Sequence, residues 1–345
     1  MNGQQPFGVA LFGYGYAGKT FHAPLVASVQ GLKLMLVISS NKDKVSADWP
    51  DVAVSSDCNA ALQNEQMDLI VIATPNDTHF ELASRALEAG KHVIVDKPFT
   101  TTVQEAQCLI EIAKRKGKLL SVFHNRRWDA DFLTVKRLLS EGQLGEVMYL
   151  ESHIDRYRPN VLPRWREQPG EGTGLWYDLG PHLVDQVLLL FGPPDSIQTD
   201  LAVQRPGALT TDYFHAQLKY GQKRAILHSS CLVAAETPRF ILHGTKGSFI
   251  KYGVDVQEEA LKRNERPGGE SWGRDPRDGI LTIWDQDYAA DRAPRKVSST
   301  IPVACGSGDY TNYYRAIEAA IRHGAPNPVP ADEALSVMKI LVAND

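Results

Sequence analysis

The chain is poor in cysteine, with only four in 345 residues. Cys58, Cys108, Cys231 and Cys305 are scattered and form no C-x-x-C, so neither a disulfide framework nor a zinc site is signalled. Long apolar runs are also lacking. Leu69–Ala73 and Val187–Phe191 are far too short to span a bilayer. Nor is there an excess of positive charge: 37 Lys and Arg stand against 41 Asp and Glu, a formal net charge of −4. That balance gives no basis for nucleic acid or an anionic membrane as partner. Residues 1–5 are polar and uncharged, without the pattern of a secretory signal, so the expected location is cytoplasmic. Internal repeats and low-complexity tracts are missing as well.

What remains is the composition of an ordinary globular protein, 43% hydrophobic and 23% charged, long enough for two domains with full cores. The organising stretch is Phe7 to Gly18. A short apolar run, read as a buried strand, is followed at once by Gly13-Tyr14-Gly15-Tyr16-Ala17-Gly18. In a G-x-G-x-x-G the first glycine permits a tight turn, the second lets backbone approach a pyrophosphate, and the third allows close helix–strand packing. The helix that follows aims its free N–H groups and positive dipole end at the phosphates. The motif is informative here because a strand precedes it and β/α alternation follows.

Pro24 falls where a helix begun at Ala17 is in mid-course, so the helix is expected to pause and restart there. His22, beside that break, reads as a structural histidine rather than an active-site wall. Leu32–Ile38 reads as the second strand. An NAD-selective site usually carries a carboxylate at the end of this strand, on the ribose 2′-OH. Here Ser39, Ser40, Asn41 and Lys42 stand instead, a set suited to a 2′-phosphate. NADP(H) is therefore the preferred cofactor, with NAD(H) as the alternative.

Alternation continues through strands at Asp68–Thr74, His92–Pro98 and Leu119–Phe123. Capping boxes at Thr78/Glu81 and Thr102/Glu105 open helices that close at Gly90 and Gly117. Such alternation predicts a doubly wound parallel sheet covered on both faces, with ligands at the carboxyl ends of its strands. That edge gathers Gly13, Ser39, Thr74-Pro75-Asn76, Lys97 and His124-Asn125.

Beyond Asn125 the rhythm changes. A helix over Asp129–Ser140 and a strand within Gly145–Ile154 lead, after a loop and a further helix, to a succession of strands. They include Tyr213–Tyr220, Arg224–Leu232, Arg239–His243 and Ser248–Lys251. This predicts a second, α+β domain with a large, mainly antiparallel open sheet, and a domain division of 1–125 and 126–345. Asp255–Lys296 reads as a long excursion, and Asn312–Arg322 and Ala331–Val342 as final helices. Pro181, taken as fitting only a first helical turn, places a helix start near Asp178 and sets Asp178 and His182 four apart on one face. A carboxylate beside an imidazole suits the proton movement that accompanies hydride loss from an alcohol. On spacing alone, Asp178 as a helix cap and His182 as a core residue are the competing explanation.

With these residues in view, the chain resembles the Gfo/Idh/MocA family over nearly its whole length. The resemblance rests on Gly13–Gly18, Thr74–His79, Asp96-Lys97-Pro98-Phe99 and Asp178-Leu179-Gly180-Pro181-His182. Phe21–Pro24, Phe123–Trp128 and Arg164–Glu167 point to the branch that contains NADP-dependent scyllo-inositol dehydrogenases. It implies a Rossmann domain, reversible hydride transfer on a cyclic polyol or sugar, and dimers or larger homo-oligomers formed through the open sheet. It implies that Lys97 approaches the nicotinamide and the reacting oxygen, Asp178 holds substrate, and His182 is the general acid/base. Asn76, His79, Asn125, Trp165 and Arg166 match cofactor contacts of relatives. The family's usual Glu-Lys-Pro is Asp96-Lys97-Pro98 here, one methylene shorter with its charge kept. Arg156, Tyr157, Arg158 and Arg164 precede the catalytic helix and are candidates to line a polyol pocket. No metal ligand set is apparent and none is needed for this chemistry. The alternatives are a dehydrogenase of another sugar or ketone, or a dinucleotide-sensing regulator on the same fold. The complete Lys97, Asp178 and His182 set and the lack of a DNA-binding motif favour an enzyme.

Overall fold

Six short strands make the first sheet of the computed structural model, which describes residues 5–284 and 297–343, and its inner strands are nearly continuous in buried apolar residues. The six are β1 (Phe7–Phe12), β2 (Leu32–Ile38), β3 (Ala53–Ser55), β4 (Leu69–Ile72), β5 (His92–Val95) and β6 (Leu120–Val122). Their order is β3-β2-β1-β4-β5-β6 and every pairing is parallel. The order reverses between β1 and β4, and a crevice for ligands opens at the carboxyl ends on either side of such a reversal. The four residues of β4 have no exposed surface, as a strand covered on both faces requires.

The helices follow their end signals unevenly. Thr102 and Glu105 form the expected capping box: Thr102 Oγ1 accepts the Glu105 N–H at 3.2 Å and Glu105 Oε2 accepts the Thr102 N–H at 3.2 Å. At Thr78 no such box forms. Its backbone is already helical (φ −99°, ψ −9°), and its hydroxyl donates to the Pro75 carbonyl at 2.7 Å instead. A cap needs the extended conformation that Thr102 has and Thr78 lacks. After the glycines the chain takes a wide π turn over Gly18–His22 and continues as an α-helix over Ala23–Ala27. The widened turn accommodates the proline ring, which carries no N–H and would clash with a regular preceding turn.

Eight strands form the second sheet: β7 (Val147–His153), β8 (Ser196–Ala202), β9 (Tyr213–Tyr220), β10 (Lys223–Ser230), β11 (Pro238–Gly244), β12 (Gly247–Tyr252), β13 (Gly279–Trp284) and β14 (Val297–Val303). Their order is β14-β13-β12-β11-β7-β10-β9-β8, antiparallel throughout except where β7 meets β10. A helix, Gly174–Phe191, covers β9 and β10, with Trp176 edge-on to Phe214 at 4.9 Å between ring centroids. This helix begins four residues before Asp178, so Pro181 lies in its interior rather than in its first turn. Thr173 holds the N-cap position, and the cap explanation for Asp178 therefore fails. The excursion read over Asp255–Lys296 contains a helix, Gln257–Lys262, and strand β13; its segment 285–296 lies outside the described residues.

The described chain divides into two compact units. One runs to Asn125 and adds Gln257–Trp272 and Asp309–Val342; the other takes Arg126–Val256 and Gly273–Gly308. A single crossing at residue 125 was the expectation, yet the chain returns twice. The final helices, Thr311–His323 and Ala331–Leu341, belong to the first unit because they cover the edge of its sheet. Ser121 on β6 accepts from Tyr313 Oη and donates to the Val329 carbonyl, both at 2.9 Å. The Val122 N–H reaches the Val329 carbonyl at 3.4 Å and Asn327 Nδ2 donates to the Leu120 carbonyl at 2.9 Å, which satisfies backbone that this edge strand would otherwise leave unpaired.

Where β5 begins, His92 Nδ1 accepts the Leu119 N–H at 3.0 Å, which requires an unprotonated nitrogen. Burial, reinforced by the Lys118 charge and opposed by Asp68, pushes this imidazole down to about 4. A depressed histidine contributes stability that is fully present above the unfolded value of about 6.5 and is lost as pH falls toward the folded value. NMR titration is expected to show the His92 ring neutral at pH 5. A midpoint near the unfolded value would overturn this account.

Candidate active site

The glycine turn is built by contact. Gly13 has φ +92°, and its N–H reaches the Ile38 carbonyl at 2.9 Å, crossing from β1 to the end of β2. A Cβ on Gly18 would stand 2.2 Å from the Gly13 carbonyl oxygen, a distance no side chain tolerates. Around Gly15 there is nothing within 4 Å of such an atom, so the space beside its backbone is open. This is the cradle a pyrophosphate needs, and the residues present fit a dinucleotide. The side chain of Tyr14 braces the turn: it is buried, donates to Asp48 Oδ2 at 2.9 Å, and its own carbonyl accepts from Lys44 Nζ at 2.9 Å. Lys19 closes this network on Asp48 at 2.7 Å. Tyr16 is exposed and donates to Glu258; burial of its hydroxyl end and that carboxylate push the phenol up to about 12.

At the end of β2, Ser39 Oγ accepts the Asn41 N–H at 3.1 Å, and Asn41 caps the helix Lys42–Asp48 through the Lys44 N–H at 3.0 Å. Ser40 and Lys42 are exposed beside them. The loop offers hydroxyls, an ammonium and a helix N-terminus, and no carboxylate before Asp43.

The ends of β4 and β5 are tied together by His79. Fully buried, its Nδ1 lies 2.9 Å from the Pro98 carbonyl and its Nε2 3.1 Å from that of Thr74. Burial lowers its pKa despite the opposing pull of Asp96 and the carbonyls. His79 thus serves the edge by positioning Thr74 and Pro98; its ring has no surface to offer a ligand. Lys97, half-buried at this edge, precedes Pro98 through a cis peptide bond. Its N–H is held by Asp96 Oδ1 at 2.9 Å. Burial pushes the Asp96 carboxyl up, but His22, Lys97 and His79 together hold it below the ordinary range. A fixed anion therefore stands against the Lys97 backbone, and the Lys97 charge helps keep it ionised. Asn76 and Asn125 are also placed on this edge, both buried. His22 is structural: it has no exposed surface, packs on Phe123 at 4.4 Å and pairs with Tyr314 Oη at 2.6 Å.

In the second unit, Asp178 and His182 project from the helix Gly174–Phe191 one turn apart. His182 is 6% exposed. Arg156 Nη1 donates to Asp178 Oδ2 at 3.4 Å, and Arg166 Nε stands 3.9 Å from Oδ1. Asp178, Arg156 and Arg166 line a cavity shared with Arg164, Thr211 and Cys231. Trp165 is exposed, with the Arg166 guanidinium over its ring at 4.9 Å. Burial and the neighbouring Arg156 and Arg164 push the Arg158 guanidinium down, while Tyr157 points to solvent.

Sequence reading missed Arg205. It is buried, bonded to Asp212 Oδ2 at 2.9 Å and Glu167 Oε2 at 3.1 Å, and donates to the carbonyls of Arg158 and Asn160. Glu167 in turn accepts from Arg164 Nε at 2.7 Å. One guanidinium thus shapes the loop that presents Arg156 and Arg166 to Asp178. No local spacing links residues 167, 205 and 212, so only the fold reveals the clamp.

Comparison with known proteins agrees with both units. Residues 7–124 match the oxidoreductase family's NAD-binding Rossmann fold, and residues 136–344 match its C-terminal alpha/beta domain. The chain belongs to the Gfo/Idh/MocA oxidoreductase family. It is 55% identical over 333 residues to the oxidoreductase YdgJ of Escherichia coli, covering 96% of this chain and 94% of that one. The scyllo-inositol 2-dehydrogenase (NADP(+)) IolW of Bacillus subtilis is 42% identical over 337 residues, 97% of this chain and 92% of IolW. A solved oxidoreductase of Yersinia pestis superposes with a TM-score of 0.92 at 53% identity, covering 98% of this chain and 93% of the other. The protein is therefore an oxidoreductase with an NAD(P)-binding Rossmann domain. None of its described helices is long and apolar enough to cross a membrane.

The glycine geometry separates two substitutions. Gly18→Ala forces backbone apart and is expected to cost about 1–3 kcal/mol of stability. Gly15→Ala is expected to leave the melting temperature unchanged while weakening dinucleotide binding, measured by fluorescence titration. Equal affinity for the dinucleotide in wild type and Gly15→Ala would remove the pyrophosphate from this turn.

Proposed function

We propose that this family member is an NADP-dependent dehydrogenase that transfers hydride reversibly at a CH–OH carbon of a cyclic polyol or sugar, scyllo-inositol and scyllo-inosose being the model pair. The observation that carries the reading is the Asp178 and His182 pair, one turn apart on a helix beside an arginine-lined cavity. The similarity to IolW supports the polyol class and the choice of NADP.

A bound nicotinamide supplies or accepts the hydride. In the reducing direction His182 donates a proton to the forming alkoxide, and in the oxidising direction it takes that proton back. Asp178 binds a substrate hydroxyl and stabilises the charged imidazole. By family resemblance, the Lys97 ammonium polarises the carbonyl, and the Asp96 carboxylate fixes the backbone from which that ammonium extends. Ser39, Ser40 and Lys42 bind the 2′-phosphate.

The expected location is the cytoplasm and the expected assembly a homodimer or larger homo-oligomer. Ile241, Ile250 and Ile280 stand in one cross-strand row on β11, β12 and β13, with Ile280 44% exposed, which favours burial against a second copy.

Purified protein given NADPH and scyllo-inosose, then a panel of ketosugars, is expected to oxidise NADPH rapidly with one of them. Tight cofactor binding without turnover on any substrate would favour a dinucleotide sensor. Lys97→Ala and His182→Ala are each expected to lower kcat by about tenfold or more, with NADP(H) binding retained. Unchanged turnover would remove the assigned role. Ser39→Asp places a carboxylate against the 2′-phosphate and is expected to shift preference toward NAD(H); undiminished NADP(H) use in that variant would refute the loop assignment.

A further inference from the structure

On the second sheet, β7 and β10 run parallel with His153 directly opposite His228. Both face away from the helix Gly174–Phe191. Ser152, the preceding residue of β7, accepts from Arg239, which also donates to Gln186 of that helix. Alternation along the strand therefore turns His153 to the opposite face. Just past the end of β7, Asp155 lies between the two rings. His228 Nδ1 is 2.9 Å from its Oδ1, and His153 Nδ1 is 3.4 Å from its Oδ2. One ligand atom from each of the three residues falls within 4.8 Å of the others.

We propose that His153, Asp155 and His228 bind a divalent transition-metal ion of the zinc type. Tetrahedral zinc with bonds of about 2.0–2.2 Å sets its ligand atoms about 3.3–3.6 Å apart. The His228 Nδ1–Oδ1 separation of 2.9 Å falls below that range and the His153 Nδ1–Oδ2 separation of 3.4 Å within it, on the two oxygens of one carboxylate, so side-chain rotation must bring a single oxygen to both nitrogens when the ion enters. Two imidazoles and one carboxylate select zinc, cobalt or nickel over magnesium and calcium, which prefer oxygen alone. Three protein ligands leave a fourth position for solvent.

A second observation comes from the groups behind these ligands. His153 Nε2, the ring nitrogen turned away from Asp155, is 2.8 Å from Glu151 Oε2, and Glu151 also accepts from Tyr149 Oη. A carboxylate on the far nitrogen of a histidine is the arrangement that orients metal-bound imidazoles and strengthens their basicity. Asp155 is itself oriented by Thr237 Oγ1 at 2.8 Å and the Ser230 N–H at 3.1 Å. The edge of the Tyr213 ring packs on His228, and His215 lies on β9 opposite it. The side chains of His153, Asp155 and His228 are 15%, 5% and 18% exposed in the single chain, on the sheet face proposed above to meet a second copy. Sequence spacing does not disclose the set, because His-x-Asp on one strand is completed from another 73 residues after Asp155.

The same contacts also close as a hydrogen-bonded network sharing protons, and the experiment must separate the two. Tag-free protein stripped with EDTA is titrated with zinc chloride by calorimetry, and with cobalt chloride by visible absorption. One equivalent per chain is expected for each metal, with proton release on binding and no saturable isotherm for magnesium chloride. The double variant His153→Ala/His228→Ala is expected to lose the isotherm. Glu151→Gln keeps all three ligands and is expected to weaken zinc binding by about tenfold or more. This second variant decides the matter where the double variant does not fold. Absence of saturable zinc binding to the wild type, an unchanged isotherm in the folded double variant, or unaltered affinity in Glu151→Gln would each overturn the site.

Discussion

The first unit depends on a backbone contact that admits no side chain. At Gly18 the helix passes so close to the Gly13 carbonyl that a Cβ would stand 2.2 Å from it. That approach brings the helix start beneath the end of β1, and Gly13 can turn toward β2 only because its φ is +92°. Side chains then fix the turn and the neighbouring loops. Tyr14, Asp48, Lys19 and Lys44 brace the turn, and His79 ties the ends of β4 and β5. A preorganised edge of this kind binds a dinucleotide without ordering its own backbone at the moment of binding, which is where much affinity is otherwise lost.

The second unit solves a similar problem with charge instead of close packing. The loop before the helix Gly174–Phe191 carries several arginines, which repel one another unless anions intervene. Arg205, held by Glu167 and Asp212, supplies the pivot, and Glu167 also neutralises Arg164. What remains unbalanced is directed at Asp178 by Arg156 and Arg166. Further along the helix, Arg127 binds Asp185 with two parallel hydrogen bonds of 2.8 and 2.6 Å, both partners buried. Breaking such a pair leaves an uncompensated buried charge, at a cost of about 3–5 kcal/mol. The helix that carries Asp178 and His182 is thus anchored from its core side as well as covered by its loop.

Much of this was legible in the sequence where a single local rule decides the outcome. Five strands of the first sheet announce themselves as apolar runs, while the three-residue edge strand β3, with no buried residue, gives no such signal; Thr102, Glu105 and Gly117 mark both ends of their helix. Where two local signals compete, reading fails. Thr78 and Glu81 have the spacing of a capping box, but the turn at Asn76–Thr78 has already made Thr78 helical. Pro181 argues for a helix start, but Gly180 beneath the Trp176 ring and the Leu175 N–H bonded to Thr211 carry the helix further back. The final helices were recognisable as helices from their apolar periodicity. Their membership of the first unit was not, since it rests on Ser121 meeting Tyr313 and Val329 about two hundred residues away.

The same distinction bears on the two residue sets with chemical potential. Asp178 and His182 are four apart on one helix, so their conjunction is a property of the sequence before it is one of the fold. His153, Asp155 and His228 are brought together by the parallel register of β7 and β10, a pairing that follows only once β8 and β9 have been placed beside them. Strand register changes which face a residue occupies with every single step. A one-residue slip of β10 would carry His228 to the helix-covered face and separate it from Asp155. The cluster is therefore maintained by the packing of the other face, where Phe214 lies against Trp176 and Ser152 receives Arg239. The buried side of the sheet, by fixing register, determines what the open side can bind.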